Sequence, residues 1–275
     1  MSEQIDRYAV MGNPIGHSKS PQIHAQFAQQ TKQDMNYETV LVALDGFSAA
    51  VDEFQASGGK GLNITVPFKQ DAWELVAERS ERAEFAGAVN TIVIREDGSR
   101  YADTTDGVGM VRDITENHGI ELKGKCILVL GAGGAVRGVL QPLLEAQPQF
   151  VIVANRTESK AVELAKQFNI FGDVFGCGFD ALPGQQFDLV INGTAASLEG
   201  EVPPLPDDLV YDGGSCYDMM YSNEATAFQV WAREHGAVKA LDGLGMLVEQ
   251  AAESFALWRG VRPETSEVIA ALRSK

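Results

Sequence analysis

The chain has 275 residues, 45% hydrophobic and 22% charged, with a formal net charge of −16. That length holds two ordinary domains, each with its own core, and the acidic balance argues against nucleic acid or anionic membrane as a partner. No apolar run approaches membrane-spanning length, the first residues show no basic-then-apolar leader, and the scattered Cys126, Cys177 and Cys216 suit neither a disulfide framework nor a zinc site, so a cytoplasmic protein without a metal is expected.

Residues 8–12 read as a short buried strand and 12–16 as a turn. Ser20-Pro21 marks a helix start, with the serine as N-cap, the proline at the first helical position, and Ile23 and Phe27 as the buried stripe. The cap accounts for Ser20 but not for Ser18 or His17; two hydroxyls beside free backbone N–H groups also suit a carboxylate ligand. Residues 40–42 suggest a strand and 47–54 a short helix. A turn at 57–61 then leads into a strand in which Leu62, Ile64 and Val66 alternate with Asn63 and Thr65. One face of it is buried, and the other presents an amide beside a hydroxyl. Pro67 cannot continue the strand and a helix begins at Lys69, which places a cation at a strand-to-helix switch where the helix dipole disfavours it. Taken alone, this stretch is also accounted for by a half-buried strand and a solvated lysine.

An Ala- and Glu-rich helix precedes a strand at 87–94, with Asn90 near its start as a turn former or a polar contact. Residues 96–99 form a hairpin turn and 101–105 return. Asp106 then caps a helix whose apolar positions include Val108, Val111 and Ile114.

The composition changes at residues 122–125. Residues 126–130 form a continuous apolar strand, buried on both faces as in a parallel sheet, with Cys126 as a small core residue. Gly131, Ala132, Gly133, Gly134 and Ala135 follow, then a helix over 139–144. Strand, glycine-rich turn and helix are the setting of a dinucleotide fingerprint, although Val136 stands where the third glycine is usual. A second apolar strand at 150–154 ends in Asn155-Arg156-Thr157. No acid stands there to take ribose hydroxyls, whereas Arg156 suits a 2′-phosphate. Thr157 can cap the helix over 158–168, and Lys160 opposes the dipole in its first turn unless a phosphate docks there. The expected cofactor is therefore NADP. Further strands are read at 187–193 and 209–212, residues 238–243 end the domain, and helices are read at 224–235, 246–258 and 266–273. In the helix over 246–258, Leu247, Ala251, Ser254 and Trp258 form one stripe, with Gln250 beside it.

Across almost its whole length, and in family order, the chain resembles the shikimate dehydrogenases. The stretches that carry the resemblance are Gly12-Asn13-Pro14-Ile15-Gly16-His17-Ser18-Lys19-Ser20-Pro21, Asn63-Ile64-Thr65-Val66-Pro67-Phe68-Lys69, Gly87-Ala88-Val89-Asn90-Thr91 and Thr105-Asp106-Gly107. Later come Gly131-Ala132-Gly133-Gly134-Ala135, Asn155-Arg156-Thr157, Tyr217-Asp218-Met219 and Asp242-Gly243-Leu244-Gly245-Met246-Leu247-Val248. The resemblance implies NADPH-dependent reduction of 3-dehydroshikimate to shikimate, a small-molecule reaction of chorismate and aromatic amino-acid biosynthesis, by a monomer or homodimer. It implies Lys69 and Asp106 as the catalytic pair and Ser18 and Ser20 as carboxylate contacts. Asn63, Thr65, Asn90, Asp106, Tyr221 and Gln250 are implied as ring-hydroxyl contacts, and Thr194, Met219 and Gly243 as further cofactor contacts.

The implied fold is α/β with two domains: a substrate domain over 1–106, a Rossmann-type NADP domain over 107–243, and helices over 244–275 returning to the first. Three positions depart from the family pattern. Thr104 replaces an asparagine, Asn192-Gly193-Thr194-Ala195-Ala196-Ser197 replaces Asn-x-Thr-Ser-x-Gly, and Thr226-Ala227-Phe228 replaces Thr-Pro-Phe. Two other readings stay open: a quinate/shikimate dehydrogenase using NAD, and a non-catalytic NADP-binding regulator on the same fold.

Overall fold

The structure, a computed structural model, describes residues 5–274; residues 1–4 and 275, at the outer ends of the expected domains, lie outside the described residues. The chain divides into two units, one running up to Gly109 and resuming at Val248–Ser274, the other covering Met110–Leu247. The divisions fall inside two helices rather than in loops.

The first unit holds β1 (Asp6–Gly12), α1 (Ser20–Thr31), β2 (Met35–Leu41), α2 (Phe47–Ala56), β3 (Gly59–Ile64), α3 (Lys69–Leu75), β4 (Glu78–Arg79), α4 (Glu81–Ala86), β5 (Thr91–Ile94), β6 (Arg100–Asp103) and the start of α5 (Asp106–Arg112). Its sheet runs β2-β1-β3-β5-β6-β4. β1 is parallel to both β2 and β3, the β3-β5-β6 run is antiparallel, and β4 lies parallel to β6. Met11, Leu62, Ile64, Phe68 and Ile92 pack one core with Val51 and Phe54 of α2.

Several local expectations are corrected here. Ser20 is the first residue of α1 and caps nothing with its side chain, because Lys19 takes the cap position. β3 stops at Ile64, so Val66 does not continue the buried face: it sits in the turn before Pro67 and is 67% exposed. Asp106 is the first residue of α5 rather than its cap, and the helix runs on into a π-helical turn, Asp113–Asn117, with Met110 and Ile114 as its buried apolar positions.

The second unit carries β7 (Cys126–Leu130), α6 (Gly134–Glu145), β8 (Phe150–Ala154), α7 (Glu158–Phe168), β9 (Val174–Cys177), β10 (Phe187–Asn192), β11 (Val210–Asp218), α8 (Ala227–Glu234), β12 (Lys239–Leu241) and the start of α9 (Leu244–Arg259). Its sheet is wholly parallel in the order β12-β11-β10-β7-β8-β9. Taken from β9, this is the doubly wound 3-2-1-4-5-6 arrangement. Ile127, Leu128, Val129 and Leu130 are fully buried, as a central parallel strand requires. Cys126 is only half-buried.

The glycine-rich helix α6 begins at Gly134, five residues earlier than its apolar stripe suggests. Thr157 stands at the cap of α7 without a side-chain cap bond. Helix α8 starts three residues later than expected, because Thr226 and Gln229 close a capping box there. In α9 the buried line is Val248, Ala251, Ala252 and Phe255 with Ser254; Leu247 and Trp258 are half-buried. α10 spans Ser266–Arg273. Among the described residues, no helix is long and apolar enough to cross a membrane.

Candidate active site

The carboxyl end of β3 opens onto a polar cluster assembled from four segments of the first unit. β3 carries Asn63, a turn holding Thr65 follows, and α3 starts on Lys69, whose carbonyl accepts from Val89 N at 2.8 Å. That bond ties the start of α3 to the stretch bearing Asn90. The turn that delivers Asp106 is fixed by Asp103, which is 2% exposed. Arg82 grips its carboxylate from Nε at 2.7 Å and Nη2 at 2.6 Å, the Ser80 hydroxyl donates at 2.5 Å, and Thr104 N donates at 2.7 Å. Bonds to an ionised group are roughly twice as strong as neutral ones, so the turn is well anchored. Thr104 serves this anchor through its backbone, which makes the change from asparagine tolerable at that contact.

Lys69 Nζ lies 2.5 Å from Asp106 Oδ2, with the side chains 34% and 20% exposed. Asn90 is buried and shares its amide hydrogens among Asp106 Oδ1 at 2.9 Å, Thr105 Oγ1 at 2.9 Å and Gln250 Oε1 at 3.2 Å. Its own oxygen accepts from Thr105 N at 2.9 Å and Thr91 Oγ1 at 2.8 Å. Asp106 is thus held between an ammonium and an amide, one oxygen to each. Asn63 joins the same network through Ser254 Oγ at 3.0 Å and Thr91 Oγ1 at 3.2 Å. Ser18 and Ser20 form a pair of their own, Ser20 N donating to Ser18 Oγ at 3.3 Å. Tyr221 belongs to the second unit, after β11, and burial raises its phenol above the ordinary value.

Gln250 reaches Asn90 because α5 and α9 approach at Gly109. A Cβ there would fall 2.6 Å from Gln250 N and 2.9 Å from its Cα. Gly109→Ala is expected to cost ~1–3 kcal/mol through overpacking, seen as a lower Tm in thermal unfolding.

The second unit gathers another group at the carboxyl ends of its strands. Gly131 follows β7 with φ 101°, a left-handed conformation that glycine adopts without strain, and packs against Thr194 and Gly193. A Cβ on Gly243 would sit 2.3 Å from Met219 O, and Met219 N donates to Asn192 O at 2.9 Å. Gly131 thus packs beside Thr194, and Gly243 beside Met219.

Asn192 orders its loop: its Oδ1 accepts from the Thr194 hydroxyl at 2.7 Å, while its Nδ2 donates to Ser197 Oγ at 3.1 Å and Asp218 Oδ1 at 3.2 Å. Ser197, which lies outside the family pattern, donates to Asp218 Oδ2 at 2.6 Å and so anchors the loop in its own way. Burial pushes the Asp218 carboxyl up, opposed by the Ser197 and Thr226 hydroxyls and Met220 N.

A pyrophosphate suits the start of α6, a 12-residue helix with no side-chain cap and no acid in its first turn, where the space a Cβ would take at Gly133 and Gly134 is open. Ala132 and Ala135 flank these glycines. At the end of β8 the Asn155 amide donates to Thr157 O at 2.8 Å and holds the turn. Arg156 and Lys160 are exposed there, and among the described residues neither is ion-paired, which suits a phosphate monoester.

Thr91, Thr105 and Ser254 complete the first cluster and were not singled out from the sequence for that role. Their signals were adjacency to Asn90 and Asp106, and for Ser254 its position one helical turn after Gln250. Tyr37, whose hydroxyl donates to Asn63 Oδ1 at 2.8 Å, gave no signal.

Three family models match the chain: "Shikimate dehydrogenase substrate binding domain" at residues 10–92, "Shikimate / quinate 5-dehydrogenase" at 113–199 and "Shikimate 5'-dehydrogenase C-terminal domain" at 243–273. Among relatives, the shikimate dehydrogenase (NADP(+)) of Alkalilimnicola ehrlichii is 61% identical over 268 residues, covering 98% of each chain. Among solved structures, an Ael1 enzyme from Pseudomonas putida superposes with TM-score 0.92 at 48% identity, over 97% of this chain and 98% of that one. The shikimate 5-dehydrogenase of Thermus thermophilus, solved in complex with NADP(H) and shikimate, gives TM-score 0.86 at 32% identity, over 98% of this chain and 99% of that one.

Proposed function

The chain belongs to the shikimate dehydrogenase family, and we propose that it catalyses the reversible NADPH-dependent reduction of 3-dehydroshikimate to shikimate, a step toward chorismate and the aromatic amino acids. The observation that carries this reading is the Lys69–Asp106 pair, 2.5 Å apart and oriented by Asn90, in the unit that matches the substrate-binding model.

Each group has work the chemistry requires. The cofactor, when bound, would supply a hydride to the carbonyl carbon in its reduced form, NADPH, or accept one from the alcohol carbon in its oxidised form. Lys69 polarises the carbonyl oxygen and delivers its proton; in the reverse direction it takes the proton of the hydroxyl. Asp106 holds the ammonium in place on one oxygen and is itself fixed by Asn90 on the other, leaving it able to accept from a neighbouring ring hydroxyl. Asn63, Thr65, Asn90 and Gln250 supply amide and hydroxyl groups for the ring hydroxyls. Ser18 and Ser20, at the start of α1, take the carboxylate through their hydroxyls. Residues 131–135, 155–157, Lys160, Thr194, Met219 and Gly243 hold NADP.

The test is the change in nicotinamide absorbance with shikimate and quinate, each with NADP and NAD. Turnover confined to shikimate with NADP is expected; comparable rates with quinate or NAD would move the enzyme to a broader specificity. No turnover with NADP still bound would overturn the enzymatic reading in favour of a regulator. Arg156 carries the cofactor choice. Arg156→Ala should raise the KM for NADP about tenfold or more, with the NAD value nearly unchanged, since only the 2′-phosphate distinguishes the two.

A further inference from the structure

One buried cluster in the first unit is unused by this account. His24, on α1, is fully buried, and neither ring nitrogen has a hydrogen-bond partner. Its imidazole stacks on the Tyr37 ring at 4.1 Å and 12°, with Phe27 edge-on at 5.9 Å and Trp258 at 5.4 Å. The stack fixes the plane of the phenol. The Tyr37 hydroxyl then donates to Asn63 Oδ1 at 2.8 Å. Asn63 has no freedom to turn away: its Nδ2 faces three acceptors, Asn90 O at 3.1 Å, Thr91 Oγ1 at 3.2 Å and Ser254 Oγ at 3.0 Å. Its oxygen therefore points toward Tyr37, which is the donor it needs in a site where Asn63 is only 6% exposed.

We propose that Tyr37 is a substrate-positioning residue, its hydroxyl fixing the orientation in which the Asn63 amide meets the substrate. The inference rests on the assignment of Asn63 to shikimate made above. A planar aromatic ring is a suitable support for this purpose, because it has two side-chain torsions and one of its faces is clamped by His24. Removing the hydroxyl leaves the ring stacked but takes the donor from a buried amide oxygen and frees the amide to turn.

Tyr37→Phe tests this directly. The expected result is a KM for shikimate raised about tenfold, kcat within about threefold of native, an unchanged KM for NADP and a Tm within a few degrees. Calorimetric titration with shikimate should show the same loss of affinity without turnover. The double variant Asn63→Ala/Tyr37→Phe should lose less than the product of the two single effects, because the two residues act as one unit. An unchanged shikimate KM and affinity in a folded Tyr37→Phe protein would overturn the proposal. So would a fall in kcat and a rise in the KM for both substrates alongside a large loss of Tm, which is the pattern of a purely structural residue. Native protein that neither binds nor turns over shikimate would instead remove the functional assignment beneath it.

Discussion

Lys69→Ala lowers shikimate turnover about a thousandfold, within the range of roughly 10²–10⁴ for a lost proton-transfer group, and leaves the Kd for NADP within about twofold of native. The first half follows from what the reaction lacks without an ammonium. Hydride transfer to a carbonyl leaves negative charge on its oxygen, and a positioned cation that needs no reorganisation stabilises that charge better than solvent does. The substitution also strips Asp106 Oδ2 of its partner, while Asn90 continues to hold Oδ1, so the carboxylate stays near its place. The second half follows from chain organisation: Lys69 lies in the first unit and the glycine-rich turn in the second. Asp106→Asn is the companion variant, keeping the shape and the Asn90 contact while removing the charge that holds the ammonium. Stopped-flow single turnover with preloaded NADP, together with fluorescence titration of the cofactor, separates chemistry from binding. Equal loss of turnover and NADP affinity in Lys69→Ala would assign the lysine to the cofactor site or to folding instead.

The residues on which this argument turns were legible in the sequence because each stands where an element changes type. Lys69 begins a helix after a proline-broken strand, and Asp106 begins another after a hairpin; such switches place functional groups at the ends of strands, outside the packed sheet. The doubly wound half was legible because its central strands are unbroken apolar runs separated by helices of the right length. β9 was missed: Val174-Phe175-Gly176-Cys177 is four residues at a sheet edge, too short for a period and interrupted by a glycine. Val66 followed the alternation of β3 but not the strand itself, since alternation continues in the sequence after the hydrogen-bond ladder has ended. The polar network was the least legible part. Asn63, Thr91 and Ser254 meet across separations of 28 and 191 residues, and nothing local in Ser254 or Tyr37 distinguishes a networked hydroxyl from an ordinary one. Pairings of that kind are fixed by the tertiary fold, so only the structure reveals them.

Acid destabilises this protein through His24 in particular. Burial drives its imidazole down from 6.5 to about 3, with the Asn63 side chain opposing, so the folded state keeps the ring neutral. The sign follows from proton counting. Above pH 6.5 neither folded nor unfolded chain protonates this residue, and its contribution to stability is fully present. Between pH 6.5 and about 3 the unfolded chain binds a proton that the folded chain refuses, so stability falls by ~1.4 kcal/mol per pH unit, reaching ~4–5 kcal/mol at the lower end. Against a total stability of about 5–15 kcal/mol for a typical protein, that is a large share from one side chain. Other groups titrate in the same range, among them the 38 Asp and Glu residues, so the native acid profile alone does not isolate the histidine. His24→Phe does. It keeps an aromatic ring against Tyr37, Phe27 and Trp258 and sacrifices no hydrogen bond, because the imidazole nitrogens make none. At pH 7.5 the variant should be at least as stable as the native protein, since two orphaned polar atoms are removed from the core. In urea unfolding from pH 7.5 down to 4, the stability difference should widen in favour of His24→Phe by ~1.4 kcal/mol per unit below pH 6.5. Parallel profiles for the two proteins would mean that the folded state admits the proton, through water or a partner reaching the ring, and that His24 is not the closed, neutral stacking face on which the orientation of Tyr37 depends.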